Sequence, residues 1–460
     1  MKTENQILLE IDHNEKALNL YDFKFLGISV WRLVRFSVRV GKLKQEINYI
    51  NRTSTTKFNF FSLIASYFTS FIRFLSILIS NKKYNFLILA FPRLVKYNEE
   101  YMDKYTDPLI EKSNLKNRSI VLQRNLSGNQ FSPRYNSGAE YASSDFIDYT
   151  SNILGLLISP FLYLFFFNKI NNLNKKAKEY FNLSSKFSFI IALRMGVFLN
   201  KCLFAYITLK FLRINKVILV NRVVFLPFIA VAKKNNIKVL ELQHGITHSE
   251  TDLYMGEYQY EIDPDYFLNF GSIWVGNQFS ISKEKQVVIG WAYKDWLLSR
   301  INVGLIPKSV LVVSSPSITS RILKSTIELA TEFKNYNFIL RLHPQEKLDS
   351  TQIKELENYI NIIIDDNIQD SLFSILKCQF IIGENSSVLY EAISLAKPVA
   401  KIMFNGLKSK NILDNNIETI QYLFEVADFS CFISNSLVKS KYLNGIYDTF
   451  DVCKFNNLLK

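Results

Sequence analysis

The chain has 460 residues, of which 48% are hydrophobic, and its formal net charge is +14. This length is sufficient for two domains of ordinary size, and the hydrophobic fraction excludes widespread disorder. The positive charge either serves solubility or indicates a polyanionic neighbour. Because no zinc-finger, RNA-binding or helix-turn-helix signature occurs, we predict an anionic membrane surface as partner and no nucleic acid.

Cysteine usage and the first residues indicate the compartment. The four cysteines are scattered, with no histidine at ligand spacing: Cys202, Cys378, Cys431 and Cys453. We therefore expect reduced thiols in the core and no structural zinc. Residues 1–15 are polar and acidic, so no secretory signal opens the chain. The predicted location is cytoplasmic, peripheral on the inner face of the cytoplasmic membrane.

Residues 1–80 are predicted to be helical and are a candidate for membrane association. Phe60 to Ile79 is a long apolar segment whose polar residues recur every three to four positions: Ser62, Ser66, Thr69, Ser70, Arg73, Ser76 and Ser80. This period predicts a helix with a narrow polar stripe and a broad apolar face. Because Arg73 would cost about 2.5 to 3.5 kcal/mol at the bilayer centre, we favour a helix in the membrane interface or packed on a partner over a membrane span.

Residues 81–285 are predicted to form an N-terminal Rossmann-like acceptor domain with a helical insertion. The predicted strands are 84–91, 119–123, 216–220, 237–242 and 266–270, with a helix over 223–233. Residues 153–167 are the most hydrophobic run, but they are too few for a bilayer span, so we predict a buried or interfacial helical hairpin element. Loops after strands face the ligand crevice in such folds, which makes Arg93, Asp103 and Asp107 acceptor-site candidates.

Residues 286–308 are predicted to be an interdomain linker, residues 309–435 a C-terminal Rossmann-like donor domain, and residues 436–460 a C-terminal tail. Strand and helix patterns alternate strictly through the donor domain: 310–313, 320–333, 338–340, 351–360, 362–364, 369–376 and 380–382. Such alternation implies a parallel sheet covered by helices.

Three short motifs close strand-like runs. Gln243-His244-Gly245 follows residues 237–242, and Arg341-Leu342-His343-Pro344 follows residues 337–340. The third, Gly383-Glu384-Asn385-Ser386-Ser387, joins a buried run to a helix, and the N–H groups at such a helix start suit the phosphates of a nucleotide. Ordinary N-capping by serine is the alternative interpretation.

The ordered set Gln-His-Gly, then His-Pro about 100 residues later, then Ser-Ser-x-x-x-Glu-Ala resembles bacterial surface-polysaccharide glycosyltransferases of the GT-B fold. It is most similar to the capsule and lipopolysaccharide group of polysialyltransferases, Kdo transferases and CDP-glycerol glycerophosphotransferases, over roughly residues 215–400. The resemblance implies two Rossmann-like domains facing across a cleft and a tail that packs back on the first domain. The remaining N-terminal half would supply extra helices.

In such an enzyme, His244 is our candidate general base, because an imidazole can take the proton of an acceptor hydroxyl near neutral pH. Glu250 and Asp252 are competing bases, and a strand-end histidine bonded to a backbone carbonyl is the alternative. The donor-binding candidates are Arg341, His343, Pro344, Ser386, Ser387 and Glu391. His343, locked by Pro344, would meet the donor phosphate together with the two serines. Glu391 would accept ribose hydroxyls or serve only the helix dipole, and Arg341 would assist at the phosphate or be a surface charge.

The predicted function is transfer of a sugar from a nucleotide-sugar donor to a surface polysaccharide or lipid-linked glycan, in capsule, O-antigen or lipooligosaccharide synthesis. A CMP-linked donor is favoured, with UDP or CDP as alternatives. We predict no cofactor and no essential metal, since the GT-B enzymes that the chain resembles generally work without a bound metal. The alternatives are CDP-glycerol-type polyol-phosphate transfer, a nucleotide-sugar epimerase, and a non-catalytic GT-B scaffold of the assembly complex.

Overall fold

The computed structural model describes residues 4–47, 60–80, 82–91, 93–124, 132–247, 254–276, 279–316, 318–344, 346–384, 386–407, 420–436 and 445–460. Glu250 and Asp252, the two carboxylates predicted to compete with His244 as bases, lie outside these residues. Asn385 of the third motif also lies outside them.

A buried charge cluster joins the N-terminal helices. The elements of this region are α1 (Glu4–Ala17), β1 (Lys24–Phe25), β2 (Ile28–Ser29), α2 (Trp31–Ile47) and α3 (Phe60–Ile79). The carboxylate of Glu15 is fully buried and accepts hydrogen bonds of 2.9 to 3.1 Å from Tyr21, Trp31, Arg35 and Arg39. Because a buried carboxylate is tolerated only when it is paired, this cluster fixes α1 against α2.

Arg32 of α2 connects the N-terminal helices to the first domain. Its Nη2 donates to Asp263 Oδ1 at 2.7 Å, and Arg222 Nη1 donates to the same oxygen at 2.9 Å. Arg222 also donates to Glu241, and all four side chains are buried. The N-terminal helices are therefore anchored to the core of the first domain by ion pairs between residues far apart in sequence.

Seven strands form a parallel sheet in the described part of the first domain. Its elements are β3 (Phe86–Ala90), β4 (Leu94–Tyr97), β5 (Glu100–Asp103), α4 (Asp107–Lys112), β6 (Ser119–Gln123), β7 (Glu140–Ser143), α5 (Asp145–Phe165), α6 (Phe167–Phe181), α7 (Phe187–Phe211), β8 (Lys216–Val220), α8 (Arg222–Lys234), β9 (Lys238–Leu242), β10 (Tyr266–Asn269), β11 (Gln286–Val288) and α9 (Ala292–Leu298). The order across the sheet is β11-β10-β9-β8-β3-β6-β7. β4 and β5 pair with each other as a separate antiparallel ribbon.

Six parallel strands form the sheet in the described part of the second domain. Its elements are β12 (Ser309–Val313), α10 (Thr319–Glu332), β13 (Asn337–Arg341), α11 (Ser350–Glu357), β14 (Ile362–Ile364), α12 (Ser371–Lys377), β15 (Phe380–Gly383), α13 (Ser387–Ile393), β16 (Val399–Ile402), β17 (Ile420–Leu423) and α14 (Asp428–Ser436). The order is β14-β13-β12-β15-β16-β17. Both sheets thus have the Rossmann arrangement, in which the chain first winds toward one edge and then returns to the centre and winds toward the other.

The two topological switch points determine where a ligand can bind. They lie between β3 and β8 in the first sheet and between β12 and β15 in the second. Residues after β3, β9 and β10 and residues after β12, β13 and β15 line one common cavity, so the carboxyl edges of the two sheets face each other. The predicted GT-B-like architecture, with two Rossmann-like domains across a cleft and extra helices in the N-terminal half, is confirmed.

The helices α3 and α5 are apolar on the outside. In α3, Ser66 and Ser70 are buried, whereas Phe61 is 81% exposed and Ile72 is 65% exposed. Ser70 Oγ accepts a 2.8 Å hydrogen bond from the backbone N–H of Phe146, and Ser66 Oγ donates to Asp145, both in the first turn of α5. Ser66 and Ser70 therefore face the protein together with the buried Phe74 and Ile77, whereas most of the rest of the stripe is exposed beside the outward apolar side chains: Thr69, Arg73, Ser76 and Ser80.

A stripe of small residues brings α5 close to α7. Ser151, Gly155 and Ser159 are buried, whereas the exposed side chains of α5 are large and apolar: Ile153, Leu156, Leu157, Phe161, Leu164 and Phe165. A Cβ at Gly155 would lie 2.5 Å from Val197 Cγ2, so the helix backbones approach too closely for a larger residue. Small residues between helices and large apolar residues outside are typical of helices in contact with lipid.

By length and composition, two of the described helices could cross a membrane: residues 61–79 of α3, and α7. α5 and α6, which are bent by 92° at their junction, pass the same test as a pair. The bend agrees with the predicted hairpin element around residues 153–167. Arg73 of α3 donates from Nε to the carbonyl oxygen of Tyr141 at 3.1 Å and pairs with Glu140, so α3 is tied to the edge strand β7.

Residues 445–460, which include α15 (Val452–Leu458), pack on the first domain. The backbone N–H of Asp448 donates to the carbonyl oxygen of Phe270, and that of Asp451 to Ile289, both at 2.8 Å. Gly290 allows this approach, since a Cβ there would lie 2.1 Å from the carbonyl oxygen of Thr449. The predicted return of the tail to the first domain is confirmed.

Two expectations are corrected by the structure. Gln286–Val288, placed in the interdomain linker, is the edge strand β11, which pairs in parallel with β10. Three residues at an edge are too short a run for an alternation to be detected. Cys431 and Cys453 are exposed and do not lie in the core, whereas Cys378 is buried; all four cysteines are free thiols.

Candidate active site

A cavity of about 280 Å³ lies between the two domains. We call it the cleft. The first domain contributes Arg93, Lys104, Tyr105, Gly245, Phe270 and Trp291 to its wall. The second domain contributes the segment 341–344 together with Ser314, Asp370, Ser386, Ser387 and Glu391. All six predicted donor-binding residues therefore line one cleft, although the two motifs that contain them lie more than 40 positions apart.

The Gln243-His244-Gly245 turn is held from both sides. Gln243 is buried; its Nε2 donates to the carbonyl oxygen of Gly245 at 2.8 Å, and its Oε1 accepts from the backbone N–H of Phe270 at 2.7 Å. Gly245 has φ +73°, a conformation that glycine adopts without strain, and its N–H donates to Tyr105 Oη at 3.2 Å. The turn that presents His244 is thus fixed by its neighbours.

His244 is mostly enclosed and its ring lies between two aromatic side chains. Its centroid is 5.3 Å from that of Phe91 and 5.7 Å from that of Tyr105. The Nε2 atom is buried and has no hydrogen-bond partner among the described residues. Burial, with the charges of Arg93 and Lys104, lowers the pKa of His244 to about 3. The imidazole is therefore neutral at pH 7, and its buried Nε2 is not engaged by any described residue.

His343 sits at the end of β13 in a turn fixed by Glu346. The backbone N–H of His343 donates to Glu346 Oε2, and Glu346 Oε1 accepts from Ser314 Oγ at 2.7 Å. Burial, together with the charge of Arg93, lowers the pKa of His343, against the opposing effect of Glu346. At pH 7 the ring is therefore neutral and acts as a hydrogen-bond donor, while the positive charge in the cleft comes from Arg93 and Lys104.

Ser386 is the N-cap of α13. Its Oγ accepts from the backbone N–H of Val388 at 3.3 Å, so the capping interpretation of this serine holds. This bond uses one lone pair and leaves the hydroxyl proton available for a ligand. Ser387 is the first residue of α13, and both serines line the cleft.

Arg341 and Glu391 are engaged within the second domain. Arg341 is 9% exposed and donates to Asp365, Ser374 and the carbonyl oxygen of Gln369 at 2.7 to 2.9 Å. The surface-charge alternative for Arg341 is therefore wrong, and its bonds fix the loop beyond β14. Glu391 accepts from Ser371 Oγ at 2.8 Å, and burial raises its pKa despite the opposing charge of Lys104.

Lys104 is a cleft residue that sequence analysis missed. Its Nζ lies 3.5 Å from Asp370 Oδ2 of the second domain, which makes an ion pair across the cleft. Burial lowers the pKa of Lys104, but Asp370 and Glu391 raise it more, so the ammonium stays charged. The available signal was its position in the polar loop that we expected to face the crevice.

Two of the three acceptor-site candidates are structural. Asp103 is fully buried and accepts from the backbone N–H groups of Arg93, Tyr105 and Thr106. Asp107 is also fully buried and accepts from Arg134 and from the backbone N–H of Asp103. These carboxylates hold the loop after β3 in shape, which corrects the prediction that they contact an acceptor. Arg93 remains a cleft residue.

The described residues contain no cluster of three or more histidine, cysteine, aspartate or glutamate side chains that could hold a metal ion. Metal independence stays a prediction. What the described residues do supply for a phosphate is a set of donors and cations: Arg93, Lys104, His343, Ser386 and Ser387.

The fold and the cleft define a two-domain α/β protein of GT-B-like architecture with an interdomain site suited to a phosphate-bearing ligand. No family model matches the chain, and no curated protein matches it significantly.

Several solved structures are similar to it in part. They include UDP-GlcNAc 2-epimerase from Methanocaldococcus jannaschii (12% identity, 81% of this chain and 98% of that chain, TM-score 0.49). They also include the wall teichoic acid polymerase TagF (14%, 86% and 97%, TM-score 0.45) and MurG of Acinetobacter baumannii (11%, 77% and 91%, TM-score 0.41). At such low identities and TM-scores these similarities carry no argument about activity, which must come from the site itself.

Proposed function

We propose that this protein is a glycosyltransferase that moves a sugar from a nucleotide donor in the cleft to an acceptor hydroxyl at the surface of a membrane. The observation that carries the proposal is that the turn containing the neutral His244 meets a set of phosphate-binding groups from both domains at the switch points of the sheets: Gly245 of that turn lines the cleft with them, and His244 lies directly beside it. Each half supplies what the other lacks: a proton acceptor on one side and a site for the leaving phosphate on the other.

In the proposed reaction, the acceptor oxygen forms a bond to the anomeric carbon while the bond from that carbon to the donor phosphate breaks. The acceptor proton passes to His244 Nε2, which no described residue engages, and then to solvent. The phosphate departs with the electron pair, and its charge is met by Arg93 and Lys104. His343 and Ser386 donate hydrogen bonds to the same phosphate.

Binding of the donor would also raise the pKa of His244. Two of the causes that depress the pKa of His244 are the charges of Arg93 and Lys104. A nucleotide phosphate beside these cations offsets their effect on the imidazole, because an opposite charge nearby favours the protonated form. Burial, the largest cause of the depressed pKa, is unchanged by the donor, but the smaller effect of the two cations is offset, so His244 becomes a stronger base once the donor is bound.

The membrane location rests on α3 and α5. Their outward faces are apolar, and the chain as a whole is basic, a combination that suits an anionic bilayer surface. The acceptor would then be a lipid-linked glycan or a growing surface polysaccharide. Polyol-phosphate transfer from CDP-glycerol uses the same cleft, and the donor screen below separates it from sugar transfer.

The test is a thermal-shift screen with CMP-, CDP-, UDP- and GDP-linked donors, followed by mass detection of the released nucleotide. His343→Ala is expected to lose most of the nucleotide-induced shift, because it removes a hydrogen bond to the phosphate. His244→Ala is expected to keep the shift and to lose transfer by about 10²- to 10⁴-fold.

His13→Ala is the matched control, since His13 is exposed on α1, and it should change neither measurement. Absence of a shift with every donor would contradict the proposal. The opposite pattern in the two histidine variants would exchange their roles.

A further inference from the structure

A second cavity, of about 490 Å³, lies beside the cleft. We call it the side cavity. It is bounded by the ends of four neighbouring strands of the first sheet, through Phe91, Arg93, Arg124, Asn221 and His244, and so lies at the switch point of that sheet. The helices α2, α7 and α8 complete its wall. Parallel sheets bind ligands at this position, and of the groups assigned above to the donor phosphate Arg93 alone lines the side cavity.

Two residues connect the side cavity to the cleft. Arg93 lines both cavities. His244 lines the side cavity, while the next residue, Gly245, lines the cleft. The motif turn is therefore the partition between the two spaces, and a group held in the side cavity can reach His244 while a donor occupies the cleft.

Every charged side chain on the wall of the side cavity is positive: Arg93, Arg124, Arg194 and Lys201. Asp148, which lies behind the wall, pairs with Lys201, and its Oδ2 lies 4.0 Å from Arg124 Nε. Arg93 and Arg194 are exposed and make no ion pair with the described residues. Because one carboxylate lies near two of the four cations and the other two have none, the wall keeps a net positive charge that suits a multiply charged anion such as phosphate.

Most of the remaining wall is apolar, apart from Ser37, Asn221 and His244. Leu33 and Phe36 of α2 and Val197 and Phe198 of α7 belong to it. Phe36 is 43% exposed. On α7, Ile190 lies one turn before Arg194 on the same face of the helix and is 41% exposed. An apolar chain that leaves the cavity along α2 and α7 would therefore meet exposed apolar side chains of both helices.

We propose that the side cavity is the acceptor site and that it binds a membrane amphiphile with a phosphate headgroup. The phosphate contacts Arg124, Arg194 and Lys201, the apolar chain lies along α2 and α7, and the acceptor hydroxyl reaches His244. This inference rests on the proposed transfer reaction and adds the chemical class of the acceptor. A volume of about 490 Å³ is within the ~300 to 1,000 Å³ range of small-molecule sites.

The test is a calorimetric titration of the full chain with dodecyl phosphate, dodecyl maltoside and inorganic phosphate, each below any micelle-forming concentration. Dodecyl phosphate is expected to bind, whereas the uncharged detergent and the chain-free anion bind at least tenfold more weakly. Arg194→Gln is expected to raise the Kd for dodecyl phosphate about tenfold, because a charge-assisted hydrogen bond is lost. Arg194 is exposed, so this variant should fold.

Lys210→Gln is the matched control, since Lys210 is an exposed cation of the same helix outside the cavity, and it should leave the Kd unchanged. Binding of dodecyl maltoside or inorganic phosphate as tightly as dodecyl phosphate would overturn the proposal. So would an unchanged Kd in Arg194→Gln.

A parallel titration with CMP, CDP and UDP separates this proposal from the proposed function. Nucleotide binding is expected to be equal in the wild type and in Arg194→Gln, because Arg194 does not line the cleft. If the wild type binds no nucleotide but binds dodecyl phosphate in an Arg194-dependent way, the transfer reaction is rejected and the lipid-phosphate site is kept. Nucleotide binding with no binding of dodecyl phosphate would reject the side cavity alone.

Discussion

At the scale of single residues, His244 combines a constrained position with an unusual electrostatic setting. The ring is enclosed by Phe91 and Tyr105, and its free Nε2 atom is buried. An enclosed imidazole beside two cations is neutral well below the pH at which a free histidine titrates. The proton balance between folded and unfolded chains therefore differs at this residue, which makes its environment measurable without a substrate.

The depressed pKa of His244 predicts a specific pH dependence of stability. Its folded pKa is about 3 and its unfolded value about 6.5, so between these limits the unfolded chain binds more protons and stability falls as pH falls. From pH 7 to pH 5 the wild type should lose about 1 to 2 kcal/mol more of its free energy of unfolding than His244→Gln. Urea unfolding of both proteins at both pH values measures this difference, and parallel losses would show that His244 is not shielded.

The sequence identified residues of the site, but it did not identify the distant residues with which charged side chains form ion pairs. The motifs that contain His244, His343 and Ser386 follow strands, and strand ends of parallel sheets lie at one edge. Lys104 and its partner Asp370 are 266 positions apart, and no local pattern links them. The same holds for Glu15 and the arginines of α2, whose pairing depends on how the helices pack. Long-range ion pairs of this kind appear only once the fold is known.

At the scale of elements, the strands were predictable where both faces are buried. β6 and β8 occur at the predicted residues, because continuous apolar or β-branched runs between turn signals are typical of central parallel strands. β14 also occurs at the predicted residues, although it is a half-buried to exposed edge strand, because all three of its residues are β-branched. β7 and β11 were missed, since short edge strands contain polar residues and few apolar positions. For α3 the sequence predicts a polar stripe and an apolar face, but only packing shows that Ser66 and Ser70 of that stripe face inward.

The contact between α5 and α7 makes a testable prediction about glycine. Gly155→Ala places a Cβ 2.5 Å from Val197 Cγ2 and 2.7 Å from the Val197 backbone nitrogen, so the helices must separate. We expect a loss of about 1 to 3 kcal/mol in the free energy of unfolding. Gly41→Ala in α2 is the control: it meets nothing within 4 Å and should stabilise the protein by up to about 1 kcal/mol. Thermal unfolding of both variants measures the contrast, and equal effects would contradict the close approach.

At the scale of the whole molecule, the exposed apolar faces, the side cavity and the cleft follow one another in space. Helix α7 contributes to the side cavity and packs against α5, and Arg93 is common to the side cavity and the cleft. The apolar helices belong to the first domain and the donor motifs to the second. A membrane contact through these helices would therefore place the first domain against the bilayer. A membrane-bound acceptor and a soluble donor would then approach His244 from different sides.

This orientation predicts which surface binds lipid. The double variant Ile72→Glu with Phe161→Glu changes two side chains that are 65% and 73% exposed, so it should leave the fold intact. Sedimentation with vesicles that contain phosphatidylglycerol is expected to fall at least tenfold, because apolar contact is replaced by repelling charge. Ile360→Glu, at a fully exposed position of the second domain, is the matched control and should sediment like the wild type. Equal sedimentation of all three proteins would place the membrane contact elsewhere.

The return of residues 445–460 to the first domain has a consequence for biosynthesis. Tyr447, Phe450 and Phe455 belong to the same hydrophobic cluster as the strands of the first sheet, yet the ribosome makes them only after the entire second domain. The first domain therefore cannot complete its core during its own translation. Nascent chains arrested between residues 300 and 440 should expose this unfinished core to chaperones, and folding should become protease-resistant only when residues beyond 445 have emerged.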